Sequence, residues 1–227
     1  MRSLMTRVKG RINRLFIRHR ILNFLHRPRI NRFVPHYLLW KLALPDEVQF
    51  WDDFMRTKGL RWPTDLSRRL DPDWPLQDRL REHLHVAPGA PIAILDVAAG
   101  PLTFIGKKWD NHSIRIDPVD VLAPYFKELL AKHKITPLIE TKYATIEELS
   151  NYVPHNEYDL VVCRNALDHA INPMQGIREM LKLVKPGCFV LLQHHRNEAI
   201  NQRYDQLHQW NFDAVDGRFV IGNGNGV

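Results

Sequence analysis

From Pro91 onward the chain switches repeatedly between two patterns. Short unbroken apolar runs alternate with stretches whose apolar positions recur every three or four residues. The runs at 92–97, 113–116, 137–140, 158–163 and 188–192 are of the length and character of buried strands. Between them, 121–133 is helical through Leu122, Phe126, Leu129 and Leu130, with Asp120 as its cap. A second helix follows Asn172-Pro173, turns Ile177, Met180, Leu181 and Val184 inward, and ends at Lys185-Pro186-Gly187. Strands that alternate with helices predict an α/β fold, a doubly wound and mostly parallel sheet covered on both faces.

The flanks read differently. Asp46 after Pro45 predicts a helix N-terminus and Gly59 its stop, with Val48, Trp51, Phe54 and Met55 inward. Leu76, Leu80 and Leu84, four apart, predict another helix. After the fifth strand, 198–208 has helical spacing through Ile200, Tyr204 and Leu207. Residues 210–212 and 218–221 then read as strands joined at Asp216-Gly217, a hairpin turn signal. In the first residues, Leu4, Met5, Val8, Ile12, Leu15, Phe16 and Leu22 share one face of a predicted N-terminal helical extension.

Composition bears on class and partners. The 227 residues, 44% hydrophobic and 25% charged, suffice for one cored domain with an added arm and exclude wholesale disorder. No stretch approaches the ~20 apolar residues of a membrane span, and no secretory signal is read. Two cysteines, Cys163 and Cys188, fit a reducing cytoplasm. The net charge of +7 is uneven: eleven basic and no acidic residues precede Asp46, leaving 21 basic against 25 acidic in the rest. The expected organisation is a basic amphipathic arm at 1–45, a helical linker region at 46–75 and a catalytic domain at 76–227. Four readings of the arm stay open: docking on an anionic membrane surface, packing on the body, gripping RNA with arginines and aromatics, and mitochondrial targeting. The expected location is the cytoplasm, peripheral on the membrane face if the arm binds lipid.

The first strand and its loop run Ile94-Leu-Asp-Val-Ala-Ala-Gly-Pro101. Small residues there let a ligand approach the backbone. Asp117 lies about 20 residues on, the spacing at which a carboxylate grips ribose hydroxyls. A dinucleotide site would need glycines where Ala98 and Thr103 stand, and Pro101 removes a donor, so an adenosine cofactor without a pyrophosphate is indicated. With Tyr158-Asp-Leu-Val-Val-Cys-Arg-Asn-Ala-Leu-Asp-His169 and Met180-Leu-Lys-Leu-Val-Lys-Pro-Gly-Cys-Phe-Val-Leu191 these pieces resemble class I S-adenosylmethionine-dependent methyltransferases. The likeness is to the group of small-molecule and glycan methyltransferases, over about half the chain, and implies their Rossmann-like fold.

The resemblance implies S-adenosylmethionine as cofactor. It places Asp96 at the start of the cofactor loop, and Ala98, Ala99, Gly100 and Pro101 around the methionine part. Asp117 falls on the ribose, Pro118 beside the adenine, and Ala144 and Thr145 flank it. Asn165 faces the methyl group. Ala98 departs from the family's first glycine, and Cys188 from the second glycine of Pro-Gly-Gly. Asp168 and His169, past the fourth strand, are the first candidates for a general base, and His194, past the fifth, is the second. His169 as a loop anchor is an equal reading. His194 and His195 point to opposite sides if extended, so at most one of them faces the site. Asn165, Asp168 and His169 resemble a cation-binding variant with acids there, and His194, His195 and His208 match no standard ligand spacing; no metal is expected. The expected activity is methyl transfer to an oxygen of a small or glycan-like, lipid-linked acceptor. Its alternatives are an RNA methyltransferase using the arm and a non-catalytic cofactor-binding scaffold.

Overall fold

The computed structural model describes residues 36–223. The helix expected at 4–22 lies outside them. Helix α1 (His36–Arg56) spans the boundary drawn at Asp46 and contains Pro45. A proline inside a helix removes one hydrogen bond and disfavours its continuation. Here Leu39 and Ala43 are buried before it, Phe54 and Met55 after it, so packing on both sides carries the helix through. The stop is as expected: Lys58 is left-handed (φ 59°), and the Gly59 N–H reaches the Phe54 carbonyl at 2.8 Å. No described helix is long and apolar enough to cross a membrane.

Helices α2 (Asp65–Arg69) and α3 (Asp78–Arg81) are single turns. The longer helix expected from Leu76, Leu80 and Leu84 does not form. All three leucines are buried in one cluster with Ile92, Ile94 and Ile105, which one turn with extended flanks achieves. The Leu76 N–H bonds the Lys108 carbonyl instead.

The sheet contains β1 (Ile92–Val97), β2 (Ile114–Asp120), β3 (Lys142–Tyr143), β4 (Tyr158–Arg164) and β5 (Val184–Gln193). It is parallel throughout, in the order β3-β2-β1-β4-β5. Between its strands lie α4 (Ala123–His133) and α5 (Pro173–Leu183), and the core is continuous on both faces. Helix α4 also holds α1: Lys132 and His133 bond the Asp52 carboxylate at 2.6 and 2.5 Å. Those bonds keep Asp52 below the usual carboxylate range.

Three strand boundaries differ from expectation. Strand β2 passes through Asp117 and Pro118 and ends at Asp120. The Val119 carbonyl accepts from Ala99, turning Pro118 to the other edge, where β3 begins pairing only at Val119. A proline there removes no ladder bond. The third strand is Lys142–Tyr143 rather than 137–140, and Leu138 is exposed. Strand β5 takes in Lys185-Pro186-Gly187, which an edge strand with a register shift tolerates.

After β5, the expected helix at 198–208 is cut to α6 (Glu198–Asn201). Arg203, Tyr204 and Gln206 all have positive φ, which no helix admits. Strands β6 (Trp210–Val215) and β7 (Arg218–Asn223) form the hairpin expected around Asp216-Gly217, both with positive φ. The hairpin is a separate two-stranded sheet.

Candidate active site

Strand order reverses between β1 and β4, so ligands belong beyond the carboxyl ends of these strands. The loop after β1 is shaped by two left-handed residues, Ala98 (φ 56°) and Gly100 (φ 70°). Ala98 keeps the conformation that suits glycine, at a cost of about 1 kcal/mol. At Gly100 a side chain has no room: a Cβ would lie 2.5 Å from Cζ2 of Trp51. Helix α1 therefore rests on this loop, and Trp51 is a site neighbour the sequence pattern presents only as core.

Two buried carboxyls end the first two strands. Asp96 accepts from the Thr103 hydroxyl at 2.5 Å, and burial pushes it up to about 7. Asp120 accepts the Gly100 N–H through Oδ2 at 3.0 Å and the Leu122 N–H through Oδ1 at 2.8 Å. Burial pushes it up to about 6, and the charge of Glu47 on α1 adds to this. An ionised carboxylate has about four acceptor positions, so two remain for a ligand.

Asp117, the acid expected on the ribose, lies elsewhere. Asp117 pairs opposite Leu95 inside the sheet, three residues short of the strand end, and accepts from the Tyr158 hydroxyl at 3.1 Å. Pro118 is likewise inside β2, opposite Asp96, and not beyond it. The acid at the end of β2 is Asp120. The sequence reading stopped the strand at the first acid it met before a proline. Ala144 and Thr145 do follow β3 beside that end, and the Ala144 N–H approaches the Asp120 carbonyl at 3.4 Å. Ala99 and Pro101 are buried in the loop.

Beyond β4, Asn165 is exposed and left-handed (φ 48°), its N–H on the Gln193 carbonyl. A 3-10 turn, Leu167–His169, then presents Asp168 and His169. The broken chain after α6 returns His208 to them. Its Nδ1 lies 2.7 Å from Asp168 Oδ2 and 3.2 Å from His169 Nε2; His169 Nε2 is 3.5 Å from the same carboxylate oxygen. Burial opposes the charge of Asp168, yet His169 and His208 outweigh it and hold the carboxyl low. Asp168 in turn outweighs burial at His208 and raises it.

His194 turns inward and His195 is exposed. The His194 ring packs 5.0 Å from Phe212, with both nitrogens sealed from solvent and unpartnered. Burial pushes it down to about 4, too low for a base working near neutrality. Glu47 on α1 acts electrostatically on both Asp120 and His208.

Residues 95–192 match the family described as a methyltransferase domain. The match begins inside β1 and ends in β5, so it takes in both ligand loops and omits α1 and His208. No curated protein matches the chain. Three of the solved structures that resemble the chain are distant ones. One is an S-adenosylmethionine-dependent methyltransferase from Aquifex aeolicus (15% identity, 67% of this chain and 73% of that one, TM-score 0.41). Another is the CurJ carbon methyltransferase (18%, 49% and 31%, TM-score 0.39). The third belongs to a complex between the Haloferax volcanii Trm112 methyltransferase activator and a chain described as a methyltransferase (15%, 74% and 80%, TM-score 0.46). The chain thus spans from under a third to four fifths of these proteins. Residues 95–192, somewhat under half of the chain, are similar to a methyltransferase domain, and the five-stranded parallel sheet with its ligand loops lies largely within that match.

Proposed function

We propose that this protein transfers a methyl group to an oxygen of a small or glycan-like acceptor. S-adenosylmethionine supplies an electrophilic methyl on a sulfonium, which becomes a neutral thioether as the new C–O bond forms. The chain's own residues bind, align and handle the proton. Asp120 has two free acceptor positions for ribose hydroxyls, and the Ala98–Pro101 backbone faces the methionine part. Alignment and exclusion of water supply much of the acceleration in such a displacement.

The observation that carries the oxygen reading is the Asp168–His208 pair. Asp168 is held in its ionised form and can only accept, so Nδ1 of His208 carries a proton, and in the neutral form of the ring Nε2 is bare. An acceptor hydroxyl that attacks a methyl must lose its proton, and this ring can take it. The negative charge of Glu47, felt at both Asp120 and His208, disfavours the phosphates of an RNA. The test is labelled methyl transfer to a panel of sugar and phenol hydroxyls. His208→Ala should lower turnover about 100-fold, the usual scale of acid–base assistance, with cofactor affinity kept. Label found only on nitrogen, carbon or RNA, or turnover indifferent to His208, overturns the assignment.

We further propose that the basic stretch before α1 docks on an anionic membrane face and so suits a lipid-linked acceptor. Its ten cations without an acid support this. Sedimentation with phosphatidylglycerol vesicles should fall to the level of neutral vesicles on removal of the first 22 residues. Equal binding to both lipids, or RNA binding with a steep salt slope instead, removes the membrane reading.

A further inference from the structure

The side-chain cluster at the mouth has a geometry that protons alone do not explain. Asp168 Oδ2, His169 Nε2 and His208 Nδ1 form a triangle with edges of 2.7, 3.2 and 3.5 Å. If His208 Nδ1 donates to the carboxylate, it cannot also accept from His169. If His169 Nε2 carries a proton as well, both N–H groups can reach the oxygen, but the 3.2 Å edge then sets one N–H against the other. Every assignment leaves one edge of the triangle unmet. All three edges are met if each atom turns a lone pair to a common cation.

We propose that Asp168, His169 and His208 bind a divalent first-row transition-metal ion, with zinc as the ion of choice. Such ions sit ~2.0–2.1 Å from imidazole nitrogen and carboxylate oxygen. Three ligands on one face then lie about 2.9 Å apart in octahedral and about 3.3 Å apart in tetrahedral coordination. The observed edges straddle those values without movement of any element.

Two imidazoles with one carboxylate are a donor set that favours zinc or iron(II) over magnesium or calcium, which prefer oxygen ligands. Asp168 is buried, whereas the rings of His169 and His208 are 18% and 25% exposed, so the open side of the triangle faces solvent. Three protein ligands with an open position are the arrangement of a catalytic rather than a structural metal. The third ligand comes from beyond the family match, on the segment whose positive-φ residues break the expected helix. That break returns His208 to Asp168; a helix continued through 198–208 would have carried it away.

Binding of the ion does not depend on the acceptor reading; only its use does. A bound ion would replace the proton on Nδ1 of His208 and acidify a coordinated hydroxyl, taking the place of the histidine base proposed above.

The test uses the full-length, tag-free protein stripped with chelator and titrated with cobalt(II) and zinc(II) alone. Cobalt should give one d–d spectrum per chain, displaced by one equivalent of zinc. His208→Ala and His169→Ala should each weaken binding at least 30-fold while circular dichroism stays native. The two rings are partly exposed, so both variants should fold. Asp168→Asn is the harsher probe and is read only if it folds. In the same samples, calorimetry with S-adenosylmethionine reports the cofactor site. Cofactor binding without stoichiometric metal, or metal binding unchanged in the two histidine variants, overturns the metal site and leaves the methyltransferase reading standing. Metal binding without cofactor binding does the reverse.

Discussion

Asp120→Asn should abolish useful cofactor affinity while leaving the fold as stable as before. The carboxylate offers its two unused acceptor positions to the ribose, and charge-assisted hydrogen bonds contribute about 1.5–3 kcal/mol each. Losing the charge should weaken S-adenosylmethionine binding by about 100-fold or more. Stability moves the other way. Burial raises this carboxyl from the ordinary 3.8 to about 6. A raised folded-state value means that the folded protein binds the proton more tightly than the unfolded chain does. The group's stabilisation is therefore present in full below pH 3.8 and is lost as pH rises through 6. At pH 7 the ionised buried form costs the fold on the order of 2–3 kcal/mol. The asparagine removes that cost but places an amide N–H against the backbone N–H of Gly100 or Leu122, which opposes it by a similar amount. Equal stability at pH 7, a flatter stability profile between about pH 4 and 6, and lost binding are the expected results. In the wild type, affinity should fall as pH drops below about 6. A variant that binds the cofactor normally would return the ribose role to another acid.

What was legible in the sequence follows from how local each cause is. The strands β1 and β4 are continuous apolar runs buried on both sides, so their positions follow from composition alone. The Asp216-Gly217 hairpin follows from turn chemistry confined to two residues. The end of β2 was not legible, because it depends on which edge Pro118 faces and where β3 starts to pair. That three-residue difference places Asp120, not Asp117, at the strand end. The position of His208 was hidden for a similar reason. Its partners, Asp168 and His169, lie about 40 residues earlier, and the intervening sequence has helical spacing. Only the backbone conformations at Arg203, Tyr204 and Gln206 reveal the return. The contact of Trp51 with the cofactor loop is also tertiary, since its spacing within α1 fits a core position equally well.

That contact has a large and specific consequence at Gly100. Gly100→Ala forces a side chain into a left-handed backbone, at about 1 kcal/mol. It also drives the new Cβ to within 2.5 Å of the Trp51 ring, and overpacking of that kind costs about 1–3 kcal/mol. The ring cannot simply swing away, because it packs on Phe54 and Phe126 at centroid distances of 5.3 and 6.0 Å. Unfolding in urea should show a loss of about 2–4 kcal/mol, and cofactor affinity should fall as the Gly100 N–H is displaced from Asp120. Trp51→Leu alone opens a cavity and is destabilising too. The double variant decides the cause. If the two residues meet as the structure has them, removing the ring makes room for the Cβ, and the double variant is more stable than the sum of the singles by about 1–2 kcal/mol. The backbone strain at φ 70° remains, so recovery stops short of the level of Trp51→Leu alone. Strict additivity would place α1 away from the cofactor loop. A coupling of the expected size makes this helix, which lies outside the family match, part of what shapes the methyltransferase site.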